Sequence, residues 1–365
     1  MHILRRVIVI VAVTALVLIA AFTGVYLWQQ PILLTGTGYA AHNACAVTEV
    51  AGRDDPATDL PPNPLVPYLQ VDADADAGTA TASIVGAIAH QTAWYAEGFG
   101  CTLADQRPQL GAATAIDSQG NPFADVAAPA APTPEAGAAL EQAMSRAFGD
   151  ELAASDQEAL GTRAVVVVKD GELVAERYAD GFDAETPQLG WSMSKSVTEL
   201  MTGMLVHQGV VALGDDHLRP EWTDERADIT VEDLLRMQSG LEWDETYDLG
   251  TPITRMLYLE PDMGAYVASL PLEHEPGTVQ EYSSGSTTLL CSVLTERTGL
   301  GADLPRQTIL GALGLSSAVF EPDAAGAPVC ARRTSGPRRA TGPRSASSPC
   351  RRGSGTASSC CPTAG

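Results

Sequence analysis

The feature that most constrains this chain is an apolar run near its start, Val7 to Trp28, which contains no charged residue. A run of about 22 apolar residues forms a helix long enough to cross the hydrocarbon core of a bilayer. A cleaved signal peptide is the alternative, but it has a shorter apolar core and a small-x-small cleavage site close behind. The stretch from Tyr26 to Pro31 does not offer such a site. The run therefore predicts a single-pass membrane helix over residues 7–28.

Charges beside this run predict its orientation. Arg5 and Arg6 precede it and acidic residues follow it, so the positive-inside rule places residues 1–6 in the cytoplasm and the rest outside the cytoplasmic membrane. Cys45 and Cys101 would then lie in an oxidising compartment, where they are candidates for a disulfide. The net charge of −23 argues against a nucleic-acid partner, because a phosphate-binding face needs clustered Lys and Arg.

Composition divides the remainder of the chain. Residues 29–126 are rich in Gly, Pro, Asp and Ala, which predicts an extracytoplasmic lead-in with little helix, and residues 127–134 have the composition of a linker. A helix is predicted to begin around Pro134 and to open a folded domain over 135–326. Two segments rich in β-branched residues flank Asp170-Gly171, which predicts a β-hairpin and an antiparallel sheet.

Ser192 and Lys195 form an S-x-x-K pattern where a loop enters a predicted helix. Residues three apart share a helix face, so Lys195 can reach the Ser192 hydroxyl and, when neutral, remove its proton. The N–H groups of a helix N-terminus can also stabilise a developing oxyanion. The chain has only one other lysine, Lys169. The alternative is an ordinary helix-start serine beside a solvated lysine, and the spacing alone does not exclude it.

A second element is the loop from Pro276 to Gly285, which contains Tyr282-Ser283-Ser284 and precedes an apolar helix over 288–294. A phenol in this loop has the chemistry to pass a proton between Ser192, Lys195 and a leaving group. Simple packing of the tyrosine at a helix start is the alternative.

Together these segments resemble the serine β-lactamase and penicillin-binding-protein superfamily, in particular its class C-related hydrolases, which include esterases and 6-aminohexanoate-dimer hydrolase. The resemblance covers about Arg163 to Asp323. The segments that carry it are the Lys169-Asp170-Gly171 hairpin, Trp191-Ser192-Met193-Ser194-Lys195-Ser196, the stretch Ile229 to Leu241, and Glu275-Pro276-Gly277-Thr278 leading to Tyr282-Ser283-Ser284-Gly285.

The resemblance implies an α/β (α+β) fold of the β-lactamase type, with an antiparallel central sheet, flanking helices and a helical subdomain. It implies that Ser192 is acylated and that Lys195 and Tyr282 handle its proton. Ser284 stands where members specialised for β-lactams have an asparagine that contacts the substrate's acyl side chain. We therefore expect Ser284 to bind substrate, and the substrate to be a small ester or amide.

The C-terminal residues depart from this family. Residues 327–365 contain seven of the 22 basic residues, four of the seven cysteines and none of the 45 acidic residues. Such a segment lacks the apolar side chains that a buried strand needs, so we expect a disordered basic tail. Its abrupt change in composition also fits translation from a shifted reading frame. In either case the third active-site motif and the closing strands of the sheet would be absent.

The sequence thus leaves two readings open: a membrane-anchored serine hydrolase that needs no cofactor or metal, or a non-catalytic, membrane-tethered member of the fold. An α/β-hydrolase is disfavoured because Gly190 to Ser194 does not complete the G-x-S-x-G elbow. A metalloenzyme is disfavoured because the six histidines are scattered and unpaired at helical spacing.

Overall fold

A computed structural model describes residues 2–118, 134–184 and 186–329. Its first element is one long helix, α1 (His2–Cys45), followed by a π-helical turn over Ala46–Val50. Within the described residues this helix is long and apolar enough to cross a membrane, and its most apolar part contacts no other element closely enough to be buried. Leu16 is 66% exposed and Trp28 is 76% exposed, whereas Thr35 and Thr37 are fully buried. The exposed half of α1 coincides with the predicted membrane segment.

The second half of α1 corrects the expectation of little helix after residue 28. It packs against a four-stranded antiparallel sheet in the order β1-β2-β3-β4. The strands are β1 (Leu69–Asp74), β2 (Thr79–Ile84), β3 (Ile88–Ala96) and β4 (Gly100–Leu103). The structure joins Cys45 at the end of α1 to Cys101 on β4 by a disulfide. The lead-in is therefore a folded layer rather than an irregular segment.

Residues 119–133, which include most of the predicted linker, lie outside the described part. The chain then forms α2 (Pro134–Phe148) and α3 (Ala154–Leu160). The predicted hairpin follows as β5 (Ala164–Lys169) and β6 (Glu172–Tyr178). Asp170 and Gly171 both have positive φ, as a tight two-residue hairpin turn requires. Among the described residues this hairpin is a sheet of two strands.

The largest core lies among the helices that follow. It is built around α8, whose inward residues Leu289, Leu290 and Leu294 are at most 1% exposed. Thr230 and Asp233 form a capping box at the start of α5 (Val231–Leu235). The helices of this region are α4 (Met193–His207), α5 (Val231–Leu235), α6 (Pro252–Leu259), α7 (Met263–Ala268) and α8 (Ser284–Thr298).

Residues 321–329 tie this core to α1. Glu321 accepts a hydrogen bond from the backbone N–H of Cys101 at 3.0 Å and contacts His42 Nε2 at 2.8 Å, in a buried pair. Asp323 accepts hydrogen bonds from Met263 and Ala327. Val329 is 1% exposed and donates its N–H to Glu321. Residues 327–329 therefore belong to the folded body, and the rest of the predicted tail lies outside the described residues.

Candidate active site

Ser192 lies where a strained loop enters α4. Trp191 has φ of +42°, a left-handed conformation that is unusual for a bulky residue and often marks a functional position. Within the described part of the chain, the Ser192 side chain makes no capping hydrogen bond to the helix it precedes. Its Oγ instead lies 3.2 Å from Lys195 Nζ, one turn further along the helix. Ser192 is exposed, so its hydroxyl is accessible to a substrate.

Lys195 connects the two sequence elements that predicted the site. Its Nζ donates a hydrogen bond to Ser192 Oγ and another to Ser284 Oγ, at 2.9 Å. The same ammonium group lies 4.9 Å from the centroid of the Tyr282 ring, within the range of a cation–π contact. The structure thus brings together all four predicted residues, Ser192, Lys195, Tyr282 and Ser284. The expected proton transfer involves the Tyr282 hydroxyl, whereas the contact that Lys195 makes here is with the Tyr282 ring.

The loop that presents Tyr282 and Ser284 is fixed at both ends. Glu281 donates its N–H to the carbonyl oxygen of Met237 at 3.0 Å, and Ser283 caps α8 by accepting from the N–H of Ser286. Gly285 follows directly. A Cβ atom there would lie 2.6 Å from the Trp243 ring, so the absence of a side chain allows this indole to pack against the start of α8. The loop position therefore depends on residues near 240 as well as on α8.

Glu245 and Tyr247 are site residues that the sequence analysis missed. Glu245 accepts hydrogen bonds from Ser284 Oγ at 2.5 Å, from the Ser284 N–H at 2.9 Å and from Trp243 Nε1 at 2.6 Å. Tyr247 Oη lies 3.4 Å from Glu245 and its ring meets Trp191 edge-on, with centroids 6.1 Å apart. Partial burial and then the charge of Glu245 raise the pKa of Tyr247 to about 12, so this phenol keeps its proton at neutral pH.

One backbone N–H at this site is a candidate oxyanion donor. Among the described residues, the backbone hydrogen bonds at the start of α4 use the N–H groups of Met193, Ser194 and Lys195 and leave that of Ser192 unused. An N–H of the nucleophile itself is well placed to meet negative charge on a carbonyl oxygen bonded to its Oγ. The two-stranded β5–β6 sheet does not extend to a third described strand that could supply a second donor.

Cavity size and chemistry point to different places in this molecule. A cavity of about 950 Å³ lies beside the β3–β4 turn and Arg306, and neither Ser192 nor Lys195 lines it. A cavity of about 460 Å³ adjoins Lys195, and its lining includes the apolar Leu213, Leu234 and Leu290 together with polar and charged side chains; Ser192 is not part of that lining. We place the candidate active site at Ser192 and Lys195, because a nucleophile lies there within reach of its base.

One group in the described residues has the donor atoms for a metal ion. Single ligand atoms of Glu273, His274 and Glu281 lie within 4.8 Å of one another, and both glutamates are exposed. Exposed acidic groups are common in proteins that bind no metal, and the Ser192 site does not require one. No metal was expected from the sequence, and this group does not change the assignment of the site.

Comparisons with known proteins bear on the family of this chain. The sequence model of the family described as Beta-lactamase matches residues 139–364, a range that runs into the segment beyond the described residues. None of the curated proteins matches the chain.

Three solved structures are among those that match part of this chain. A candidate 6-aminohexanoate-dimer hydrolase from Bacillus anthracis is 20% identical over 50% of this chain and 53% of that chain, with a TM-score of 0.42. A class C β-lactamase from Rhodobacter sphaeroides is 20% identical over 48% of this chain and 57% of that chain, with a TM-score of 0.36. FmtA from Staphylococcus aureus is 20% identical over 45% of this chain and 48% of that chain, with a TM-score of 0.36. The chain spans about half the length of these proteins.

Proposed function

Because this chain belongs to the β-lactamase family, we propose that it is a serine hydrolase that forms an acyl-enzyme on Ser192 and releases the acyl group to water. The observation that carries the proposal is the 3.2 Å contact between Lys195 Nζ and an exposed Ser192 Oγ that is not engaged as a helix cap. A nucleophile within hydrogen-bond reach of its base is the arrangement that covalent catalysis requires.

The chemistry follows from these contacts. Neutral Lys195 takes the Ser192 proton while Oγ attacks the substrate carbonyl, and the new oxyanion lies beside the Ser192 N–H. As the tetrahedral intermediate collapses, the bond to the leaving group breaks and the proton held by the Lys195 ammonium passes to that group, either directly or through the Tyr282 hydroxyl, which leaves Lys195 neutral. Water then attacks the acyl-enzyme with the same base, and the Ser192 hydroxyl is restored.

Two features support a small ester or amide as the substrate. The cavity of about 460 Å³ beside Lys195 is within the size range of small-molecule sites, and its walls combine leucine side chains with polar and charged ones. Ser284, in the position of the β-lactamase asparagine, directs its hydroxyl to Glu245 and accepts a hydrogen bond from Lys195. Its short side chain is engaged within the protein, so its expected role in substrate binding remains a prediction.

We also propose that α1 anchors the enzyme in the cytoplasmic membrane through residues 7–28, with the catalytic domain outside. Support comes from the exposed apolar half of α1 and from the disulfide between Cys45 and Cys101, which is stable in an oxidising compartment. Protease protection of the domain in intact cells, lost when the cells are opened, would contradict this orientation.

Hydrolysis of p-nitrophenyl acetate by the full-length protein in detergent tests the proposed activity. Wild type should release nitrophenol catalytically and Ser192→Ala should not. Ser269→Ala, which changes an exposed serine at the end of α7, serves as the matched control and should retain the wild-type rate. Equal rates for wild type and Ser192→Ala would refute the assignment of Ser192 as nucleophile.

A non-catalytic, membrane-tethered protein is the second candidate function. It is favoured by one observation: in the described part of the chain the β5–β6 sheet has two strands, which leaves the Ser192 N–H as the one located oxyanion donor. Removing one such donor from an enzyme typically lowers the rate by about 10² to 10³-fold. Catalytic turnover of the nitrophenyl ester by the full chain would exclude this candidate.

A further inference from the structure

Glu245 lies at the end of a continuous line of hydrogen bonds that reaches the nucleophile. The line runs from Glu245 Oε1 to Ser284 Oγ at 2.5 Å, from Ser284 Oγ to Lys195 Nζ at 2.9 Å, and from Lys195 Nζ to Ser192 Oγ at 3.2 Å. An ionised carboxylate only accepts hydrogen bonds, so the Ser284 proton must point to Glu245. The lone pairs of Ser284 Oγ are then directed at Lys195.

We propose that Glu245 is a positioning residue of this site, acting through Ser284 to orient Lys195 and to stabilise the ammonium formed when Lys195 takes the Ser192 proton. This inference rests on the proposed function. In a catalytic triad an acid orients the base and stabilises its charged form. Here a hydroxyl stands between acid and base, so Glu245 and Lys195 need not touch.

The two oxygens of Glu245 have separate roles. Oε2 accepts from Trp243 Nε1 at 2.6 Å and from the Ser284 N–H at 2.9 Å, which fixes the loop to the start of α8. Oε1 accepts from Ser284 Oγ and lies 3.4 Å from Tyr247 Oη. The first pair of contacts is structural, whereas the second oxygen sets the direction of the Ser284 hydroxyl.

The substitution Glu245→Gln separates these roles. A glutamine oxygen in the place of Oε2 keeps both structural hydrogen bonds, while its amide group takes the place of Oε1 and donates to Ser284. The Ser284 proton then turns towards Lys195 and occupies the lone pair that must accept the Ser192 proton. The carboxylate that stabilised the ammonium is lost at the same time.

The direction of the effect on pH dependence follows from charge. A carboxylate stabilises a nearby ammonium relative to the neutral amine, so removing the carboxylate favours the neutral amine. In the plot of the Ser192 reaction rate against pH, Glu245→Gln should therefore move the rising part at low pH, the acidic limb, to lower pH by about 1 unit. The highest rate reached, the plateau, should fall by about 10- to 100-fold. A purely structural role lowers the plateau without moving the limb.

The rate at which a fluorophosphonate labels Ser192 measures this directly in the full-length protein. The Oγ–P bond forms, the P–F bond breaks, fluoride leaves, and Lys195 receives the serine proton; fluoride needs no proton, so the rate reports on proton removal. Rates are measured from pH 5 to 10 for wild type, Glu245→Gln, Ser284→Ala and Ser284→Thr. Glu242→Gln is the matched control, because it removes one exposed carboxylate from the same loop.

We expect Glu245→Gln and Ser284→Ala to shift the acidic limb in the same direction, because the first removes the carboxylate and the second removes the oxygen that accepts a hydrogen bond from Lys195. The double variant should show no larger shift than Glu245→Gln alone, since both changes break one line of contacts. Ser284→Thr keeps the hydroxyl and should restore the wild-type limb. If the wild-type protein is labelled but the acidic limb does not shift in Glu245→Gln and Ser284→Ala, the inference is overturned and the proposed function stays in place. A wild-type protein that is not labelled at any pH overturns both.

Discussion

The position of the Tyr282 loop depends on a close approach at Gly240, and replacing this glycine by alanine tests that dependence. Gly240 has φ of +73°, and a Cβ atom there would lie 2.1 Å from the carbonyl oxygen of His274. The Gly240 carbonyl oxygen accepts hydrogen bonds from the N–H groups of Glu273 and His274 at 2.8 and 3.1 Å. An alanine must therefore push the 273–281 segment away and break these bonds.

The magnitude can be separated into two parts with a matched control. Gly209, after α4, also has φ of +73°, but a Cβ atom there would meet nothing within 4 Å. Gly209→Ala should cost only the left-handed strain, about 1 to 2 kcal/mol. Gly240→Ala should cost the same strain plus two hydrogen bonds at about 1 kcal/mol each, a total of about 3 to 4 kcal/mol.

Urea denaturation of the full-length protein in detergent, followed by tryptophan fluorescence, measures both losses. Buried Trp222 and Trp243 report on the helical core. A difference of about 2 kcal/mol between the two variants is expected on the hydrogen-bond estimate above. Equal losses would show that the 273–281 segment does not rest on Gly240, and the account of how Tyr282 is positioned would then be wrong.

Three further predictions follow from other parts of the structure. Lys195→Arg should slow fluorophosphonate labelling of Ser192 by about 10² to 10⁴-fold, because a guanidinium does not give up its proton, while Lys169→Arg in the hairpin turn should leave the rate unchanged. Replacing Cys45 and Cys101 by serine removes a crosslink between residues 56 positions apart in the sequence. On the chain-entropy estimate the free energy of unfolding should fall by about 4 kcal/mol, and equal stability of the oxidised and reduced wild type would contradict this. Burial raises the pKa of Asp323 from 3.8 to about 6, so the folded state holds this proton more tightly than the unfolded state. The stabilisation from this group is therefore present below pH 4 and is lost as the pH rises through 6. Between pH 7 and pH 4 the free energy of unfolding of wild type should rise by about 3 kcal/mol relative to that of Asp323→Asn.

Local sequence signals predicted the elements that carry the nucleophile. The Asp170-Gly171 hairpin and the helix after Ser192 both have short-range causes, and the structure contains each of them. Ser192 and Lys195 share a helix face because of helical geometry alone. The resemblance to a family supplied the pairing of this helix with Tyr282, which lies 90 positions beyond Ser192 in the sequence.

The continuation of α1 to Cys45 was not predicted, because its cause is tertiary. Gly36 and Gly38 disfavour helix on their own. In the folded chain they allow close packing: a Cβ atom at Gly38 would lie 3.0 Å from the carbonyl oxygen of Tyr258, and one at Gly36 would lie 2.5 Å from Leu65. Glycine at these positions thus belongs to the interface between α1 and the body of the protein, and composition alone suggested a loop.

Glu245 was not predicted for a similar reason. It lies 39 positions before Ser284 in the sequence, and an acidic residue in a polar loop has an ordinary solvated reading. Only the packing of Trp243 on Gly285 brings the carboxylate to the start of α8. Polar contacts between distant loops leave no periodic signal in a sequence, so a site of this kind is found from its geometry.

The central claim is that Ser192 becomes acylated, and trapping the acyl-enzyme tests it most directly. The full-length protein is mixed with p-nitrophenyl acetate, quenched in acid within seconds, digested and analysed by mass spectrometry, with Ser192→Ala treated in the same way. The account predicts an acetyl group on the peptide that contains Ser192 in wild type and an unmodified peptide in the variant. Acetylation at another residue, or no acetylated peptide while nitrophenol is released, would contradict the account.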